Sequence, residues 1–580
     1  MKKLSKLIFI TLLSVVGLVS VNAASFKIGD VEYETLKDAV DAAPTDGTKT
    51  TIVMTEDVAG GSGVIVQAGK NLVIDFGGHR YETEAPMVGS TGTETQSFQL
   101  LKGATVYLKN GTLIPSARSD SKMFIQNYCD LTVENITIDG STNPNAGFYA
   151  ISNNNGKVNI IGNTSIKVNP EIASARAFDM CWAPLVGTGT PYAGGTQITV
   201  DTTGKIEGMI ELDVWGTFSD ADGIKSTLTI KNMDFTGTWS IDSRLASQLS
   251  IEGGKFNSSV EEYLANGYAE YTTDNKVFDV LPKGEIKFKS NEIFVLKGKT
   301  ANIELEVEDL YKKYVNYNMV DEAVATFKDS IINGIEVGST TLNATLGKQG
   351  ETASVTVFEV KPAEGENTTE DKLNEDANDI TAALVEQALT SEEAEGMDNE
   401  TVENVKTAVL AGKTVETSVA IEEVKKEDLT EETLNKLESE AKKAEGTLAG
   451  YLDIDVLLMA GEDELGKITK LPNAIKVTVD VDKSLGTVPE NTTRKYFVVR
   501  LHDGEETELI EAEYKDGKLS FETDRFSQYA YGYTDTEVEN TNIPKTGDNI
   551  ALYVTLFVMS SLGIAGTILL SKKRLVSITK

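Results

Sequence analysis

Cysteine and histidine are almost absent from these 580 residues: Cys129 and Cys181 are the only thiols, His79 and His502 the only imidazoles. Two cysteines exclude a disulfide-stapled fold and a four-Cys zinc site. Two histidines make a His-rich metal centre improbable and leave little material for His-based acid–base chemistry. Basic residues are also short, 54 Lys+Arg against 89 Asp+Glu, for a formal net charge of −35. That balance speaks against a nucleic-acid partner, because phosphates would be repelled. Apolar residues are plentiful at 40%, ample for packed cores. The length predicts about three or four domains at ~150 residues each.

Each end of the chain carries a basic cluster. Residues 1–24 open with Lys2, Lys3 and Lys6, run mostly apolar from Leu7 to Val19 and close on small residues before Ala23 and Ala24. This is the plan of a secretory signal peptide with cleavage expected at Ala23-Ala24; the apolar core is short for an uncleaved ~20-residue anchor. At the other end, 550–570 contains no charged residue and is followed by Lys572-Lys573-Arg574. A helix of that length spans ~30 Å of hydrocarbon, and positive charge marks its cytoplasmic side. Just before it stands Ile543-Pro544-Lys545-Thr546-Gly547.

This order resembles the LPxTG-type cell-wall sorting signal of Gram-positive surface proteins, with Ile543 where the family usually has Leu. The resemblance implies a sortase as processing partner, attack on the Thr546 carbonyl, and transfer to peptidoglycan. The membrane is then engaged only through the C-terminal span before processing. Pro544 fixes φ and biases Ile543 toward an extended shape suited to an enzyme groove. An ordinary single-span anchor carrying the four residues by accident is the alternative. With Lys2, Lys3, Lys6, Lys572, Lys573, Arg574 and Lys580 gone, and Asp548 with them, the displayed chain carries −41.

Between the ends, residues 25–282 hold one readable helix, Thr35 to Pro44, with Thr35 as cap, Leu36, Ala39, Val40 and Ala43 on one face, and Pro44 as stop. After it a strand-and-turn cassette recurs, starting at Leu72, Val106, Leu131, Val158, Ile198, Leu228 and Leu249. Most copies alternate apolar and polar residues, then turn on Asn or Gly, at irregular spacing. The region resembles right-handed parallel β-helix domains of the pectin-lyase-like type, with the helix capping the first coil; an antiparallel β-sandwich is the competing fold. Residues 283–361, with strands expected at 286–288, 293–296, 301–307, 323–327, 333–338, 339–345 and 353–357, resemble bacterial Ig-like modules.

An acidic linker, 362–379, leads to a mixed α+β, β-rich stalk domain over 380–535. Its helices are expected at 380–389, 402–410 and 431–443. A polar stem (536–542), the motif (543–547), the span (550–570) and a basic tail (571–580) complete a mainly β, multidomain chain.

Catalysis by the β-helix region would need paired carboxylates with a His or Arg, or Ca²⁺-binding Asp clusters. The available groups are Asp75 with His79 and Arg80, Glu134 with Asp139, and Asp213 with Asp220 and Asp222. None stands in the N-T-D, D-D, G-H-G or R-I-K patterns of the polygalacturonases. The expectation is therefore no enzyme, no catalytic residue, no metal and no cofactor. His79 reads as an exposed turn residue, His502 as structural, and the Asp213/Asp220/Asp222 loop as solvated, with Ca²⁺ binding the alternative. Cys129 and Cys181, 52 residues apart, read as two small buried side chains rather than a disulfide. Phe178, Trp182, Tyr192, Trp215 and Trp239 could line a sugar-binding face, with core packing the alternative. The expected role is adhesion to a host or environmental glycan or protein, against a displayed polysaccharide lyase or glycoside hydrolase and against a passive spacer or coat.

Overall fold

The computed structural model describes residues 24–183, 195–214, 226–362, 375–391, 394–502 and 506–538. Residues 1–23 of the expected signal peptide, the expected sorting motif at 543–547, the 550–570 segment and the basic tail lie outside them. Among the described residues the chain is mainly β, and no helix is long and apolar enough to cross a membrane. The chain divides into two compact units. One runs through Asn291 and takes in Asn302–Val320 and Thr341–Ser354; the other holds Glu292–Ala301, Asp321–Thr340 and everything from Val355 onward.

The first unit is built from three parallel ladders visited in turn. The chain lays Lys49–Met54 on the first ladder, Val58–Gly61 on the second and Val64–Val66 on the third. It then returns to the first with Asn71–Asp75, pairing Ile52 with Ile74. The seven cassettes are successive rungs of the first ladder, in one register: Leu72, Val106, Leu131, Val158, Ile198, Leu228 and Leu249 are partners in sequence. Their irregular spacing is the varying length of the excursions through the other two ladders. The strand pairings from Lys49–Met54 to Gly254–Phe256 are parallel, so the antiparallel alternative does not describe them.

Alternation decides what each rung contributes. Ile52, Ile74, Leu108, Val133, Ile160, Val200, Ile230 and Ile251 form one row down the first ladder, each 0% exposed. Burying side chains of this size stabilises by about 1.5–3 kcal/mol each. Where the chain turns from first to second ladder, Asn110, Asn135 and Gly162 follow ladder partners Lys109, Glu134 and Ile161 and all have positive φ, 58°, 53° and 69°. This is the conformation that Asn and Gly tolerate best, and it explains their recurrence.

The return corner from third to first ladder is held by buried asparagines. Asn127 Nδ2 donates to Asn153 Oδ1 at 2.9 Å, and Asn153 Nδ2 donates to the Gly156 and Gln197 carbonyls at 3.2 and 3.3 Å.

The stack is closed at its start by Phe26–Ile28, antiparallel to Lys49–Met54, and by helix α1 (Leu36–Ala42), whose Leu36, Ala39 and Val40 join the core. Thr35 Oγ1 accepts from the Asp38 amide at 3.1 Å as the N-cap. Lys70, buried and unforeseen from sequence, closes the other end of α1: its ammonium donates to the carbonyls of Val40, Asp41 and Ala43 at 2.8, 3.3 and 2.5 Å.

Two strand expectations change in the segment after the stack. The strand expected over 301–307 is broken into Thr300–Asn302 and Leu305–Glu306. Val315–Met319, not foreseen, pairs antiparallel with Leu342–Leu346.

In the second unit a nine-stranded sheet runs from Val360–Pro362 through Val415–Val424, Thr447–Ala460, Gln528–Glu537, Thr492–His502, Glu506–Lys515 and Lys518–Arg525 to Lys470–Asp480, with Asp463–Ile468 beside Thr447–Ala460. Helix α2 (Glu375–Ser391) starts inside the segment expected as linker. It packs with α3 (Asn399–Leu410) on a core containing Val385, Val405, Val456 and Val498. Helix α4 (Glu431–Lys443) covers a separate core with Leu437, Phe497, Val499 and Leu501. Val498 and its neighbours Phe497 and Val499 thus face different cores, as period-2 geometry requires.

Candidate functional site

The outward row of the third ladder is the most polar buried surface of the first unit. Its inward partners are apolar: Val64, Phe98, Ile125, Ile151, Phe178, Ile210 and Trp239. One residue further along, pointing the other way, run Ile65, Gln99, Gln126, Ser152, Asp179, Glu211 and Ser240. Outward positions on a sheet are normally wet, yet Gln99, Gln126, Ser152 and Asp179 are all buried.

Asp179 is the centre of the row, 4% exposed. Its Oδ1 accepts from the Asn153 amide at 2.5 Å and its Oδ2 from Ser152 Oγ at 3.4 Å. Burial raises its pKa to about 7, against those hydrogen bonds and with help from the Glu211 and Asp213 charges. On the next rung Glu211 is gripped by Arg176, Nη2 to Oε1 at 3.0 Å and Nε to Oε2 at 3.2 Å, and Tyr149 donates its hydroxyl to Oε2 at 2.9 Å. The Arg176 guanidinium also lies 4.8 Å from the centre of the Tyr149 ring. Burial lifts Asp213 above the usual carboxylate range and pushes the Cys181 thiol up, so Cys181 is no nucleophile near neutral pH. The strip therefore sets a buried acid with a raised pKa beside a clamped carboxylate on the next rung, with Glu211 and Asp213 as its half-buried members.

Of the residues singled out from sequence, Asp213 belongs to this strip, while Asp220, Asp222, Tyr192 and Trp215 lie outside the described residues. Asp75 is not joined with His79: it binds Lys109 at 3.1 Å, Asn110 at 3.1 Å and the Gly77 amide at 3.0 Å, whereas His79 Nδ1 lies 3.3 Å from Asp57. Glu134 accepts from Tyr107 and Asp139 from Ser141, so these two carboxylates are not a pair. Phe178 is fully buried, and Trp239 packs on the core with Phe235 at 5.0 Å. Neither is a sugar platform. His502 is buried within its strand.

Cys129 and Cys181 are free. The rung of Tyr149–Asn154 stands between theirs, a separation of roughly 9–10 Å at ~4.8 Å per rung, beyond the ~7 Å between Cα atoms that a disulfide bridges.

Sequence reading missed Tyr149, Arg176, Asp179 and Glu211. The signal was present: Phe178 and Met180 share one parity and Asp179 and Cys181 the other, and the next third-ladder strand repeats this with Ile210 and Leu212 against Glu211 and Asp213.

Among the described residues no group of three or more His, Cys, Asp or Glu is placed to hold a metal ion. The second unit has an open cleft of about 620 Å³ beside Asp398. That carboxylate caps α3, accepting from the Thr401 amide at 2.8 Å, and is already engaged.

No family model and no curated protein matches this chain. Solved structures with some likeness include domains 4–9 of the surface layer protein SbsC (14% identity, TM-score 0.12, covering 45% of this chain and 32% of that one). Domains 5–6 of the same S-layer protein (13%, 0.12, 44% and 98%) and the I9–I11 tandem of titin (9%, 0.11, 44% and 98%) are two more. The chain spans about a third of the length of the first. At these TM-scores the likenesses carry no argument.

Proposed function

We propose that this chain is a secreted protein joined to peptidoglycan, displaying residues 25–282 as a right-handed parallel β-helix that binds a glycan or protein at the surface. The observation that carries the reading is the order of Ile543–Gly547, the uncharged 550–570 and Lys572-Lys573-Arg574. A sortase thiolate attacks the Thr546 carbonyl, the Thr546–Gly547 amide breaks, Gly547 leaves as an amine and a thioester forms; a peptidoglycan amine then takes the acyl group and frees the thiolate. The ladder order of the first unit supports the β-helix, and the half-buried Glu211 and Asp213 at the edge of the buried strip are the ligand contact it offers.

Two measurements test this. Thr546→Ala is expected to move nearly all the protein from the covalent wall fraction to membrane or medium, read by fractionation; continued covalent attachment defeats the anchoring. The full chain on a glycan array is expected to bind without releasing products.

A second reading, a displayed polysaccharide lyase or hydrolase, is favoured by Asp179 holding its proton to about pH 7 beside the clamped Glu211, an acid next to a carboxylate. Reducing ends or unsaturated products from the array ligands, abolished in Asp179→Asn, would establish it over adhesion.

A further inference from the structure

We propose that Asn302–Val320 and Thr341–Ser354 form a clasp that keeps the last rungs of the ladder stack folded. The far end of a parallel stack is an unpaired strand edge, open to fraying and to pairing with another chain. Here Gly254–Phe256, the last rung of the second ladder, is covered by Phe278–Pro282, antiparallel to it, and that strand pairs with Tyr268–Tyr271. A hairpin alone is marginally stable, and the face it turns away from the stack carries a large aromatic residue, Tyr271.

The clasp supplies what this hairpin lacks. The rings of Tyr311 and Tyr314 each lie 5.4 Å from that of Tyr271, and all three tyrosines are buried. Their hydroxyls reach across: Tyr311 donates to the Pro282 carbonyl at 2.8 Å and Tyr314 to Asp279 Oδ2 at 2.6 Å, while the Gly284 amide donates to the Tyr271 hydroxyl at 2.8 Å. The fit is close. A Cβ on Gly284 would come within 2.9 Å of the Tyr311 ring and 3.0 Å of Leu346, and one on Gly347 within 3.4 Å of Tyr271. Lys348 adds an ion pair to Glu261, which lies between the last rungs and the hairpin. Leu346 and Tyr314 are in turn fixed by the pairing of Val315–Met319 with Leu342–Leu346. Groups from 29 to 87 residues downstream thus complete the stack's end, and a pull or a cut in the segment after the stack acts on its last rungs first.

Amide hydrogen exchange on the full chain tests the clasp. In the Tyr311→Ala/Tyr314→Ala double variant, exchange in 249–256 and 268–282 is expected to rise by about 10-fold or more, with 50–140 unchanged. Unchanged exchange at 249–282, or equal acceleration from 50 to 282, overturns the proposal. Should the double variant not fold, Tyr314→Phe, which removes only the hydroxyl on Asp279, is read the same way: faster exchange confined to 249–282 supports the clasp, and anything else defeats it.

Discussion

Replacing Asn153 by Leu is expected to destabilise the first unit by roughly 2–4 kcal/mol. The size follows from what the side chain holds. Asn153 Oδ1 is the acceptor for Asn127 Nδ2, and its Nδ2 serves the carbonyls of Gly156 and Gln197. Both asparagines are fully buried, so water cannot replace the lost partners. Asn127 Nδ2 keeps the Cys129 and Lys157 carbonyls and the Gly156 carbonyl keeps the Gln197 amide, so the loss is that of three buried hydrogen bonds, about 0.5–1.5 kcal/mol each. The corner has no slack either, since a Cβ on Gly156 would lie 2.4 Å from Asn127 Nδ2. Denaturant unfolding of parent and variant measures the difference; a loss below about 1 kcal/mol would show that the corner stands without its amide ladder.

Asp179→Asn should do the reverse at alkaline pH, stabilising the chain by roughly 2–4 kcal/mol at pH 8 and by no more than about 1.5 kcal/mol at pH 5. The sign follows from the raised pKa. In the unfolded chain the carboxyl loses its proton near 4, in the native protein at about 7. Between those values the native state holds a proton that the unfolded state has released, so stability falls as pH rises, and the full loss is reached above pH 7. Three pH units set a ceiling of about 4 kcal/mol. Asn retains the oxygen that accepts from the Asn153 amide but never ionises. Melts of both proteins at pH 5 and pH 8 decide it: an equal offset at both values would mean that Asp179 does not titrate in this window.

The first ladder was readable from sequence because its rungs are wet on one side. Leu131-Thr132-Val133-Glu134 shows clean alternation, and the turn on Asn135 marks where positive φ is needed. The third ladder was not, because its earlier strands are buried on both faces. All five residues of Gln96–Leu100 are buried, and Met123–Asn127 and Tyr149–Asn154 are nearly so, so polarity no longer reports direction. The Asp179 and Glu211 strands do alternate, but with the earlier strands of their ladder hidden they had no ladder to belong to, and the looser Asp213 group drew notice instead.

Helix α1 could be foreseen to the residue at its N-cap, since capping is local. Lys70, the Tyr271–Tyr311–Tyr314 contact and the placement of 302–320 with the first unit could not, being contacts between distant stretches of chain. In the second unit α4 stands where periodicity puts it, at 431–443. The Glu506–Lys515 strand escaped because Glu506-Thr507-Glu508-Leu509 carries few apolar residues on either face.

The ladder registers also set an order of assembly. First-ladder partners are 21 to 40 residues apart, from Leu228↔Leu249 to Val158↔Ile198, so each coil can close on the one before it as soon as a few dozen more residues arrive. A chain delivered N-terminus first can build from α1 forward without waiting for its far end, and such short loops close at little entropic cost. Only the last coils have to wait, for Tyr311, Tyr314 and Leu346. The interval between their emergence and that closure is when the chain most readily pairs with a neighbour.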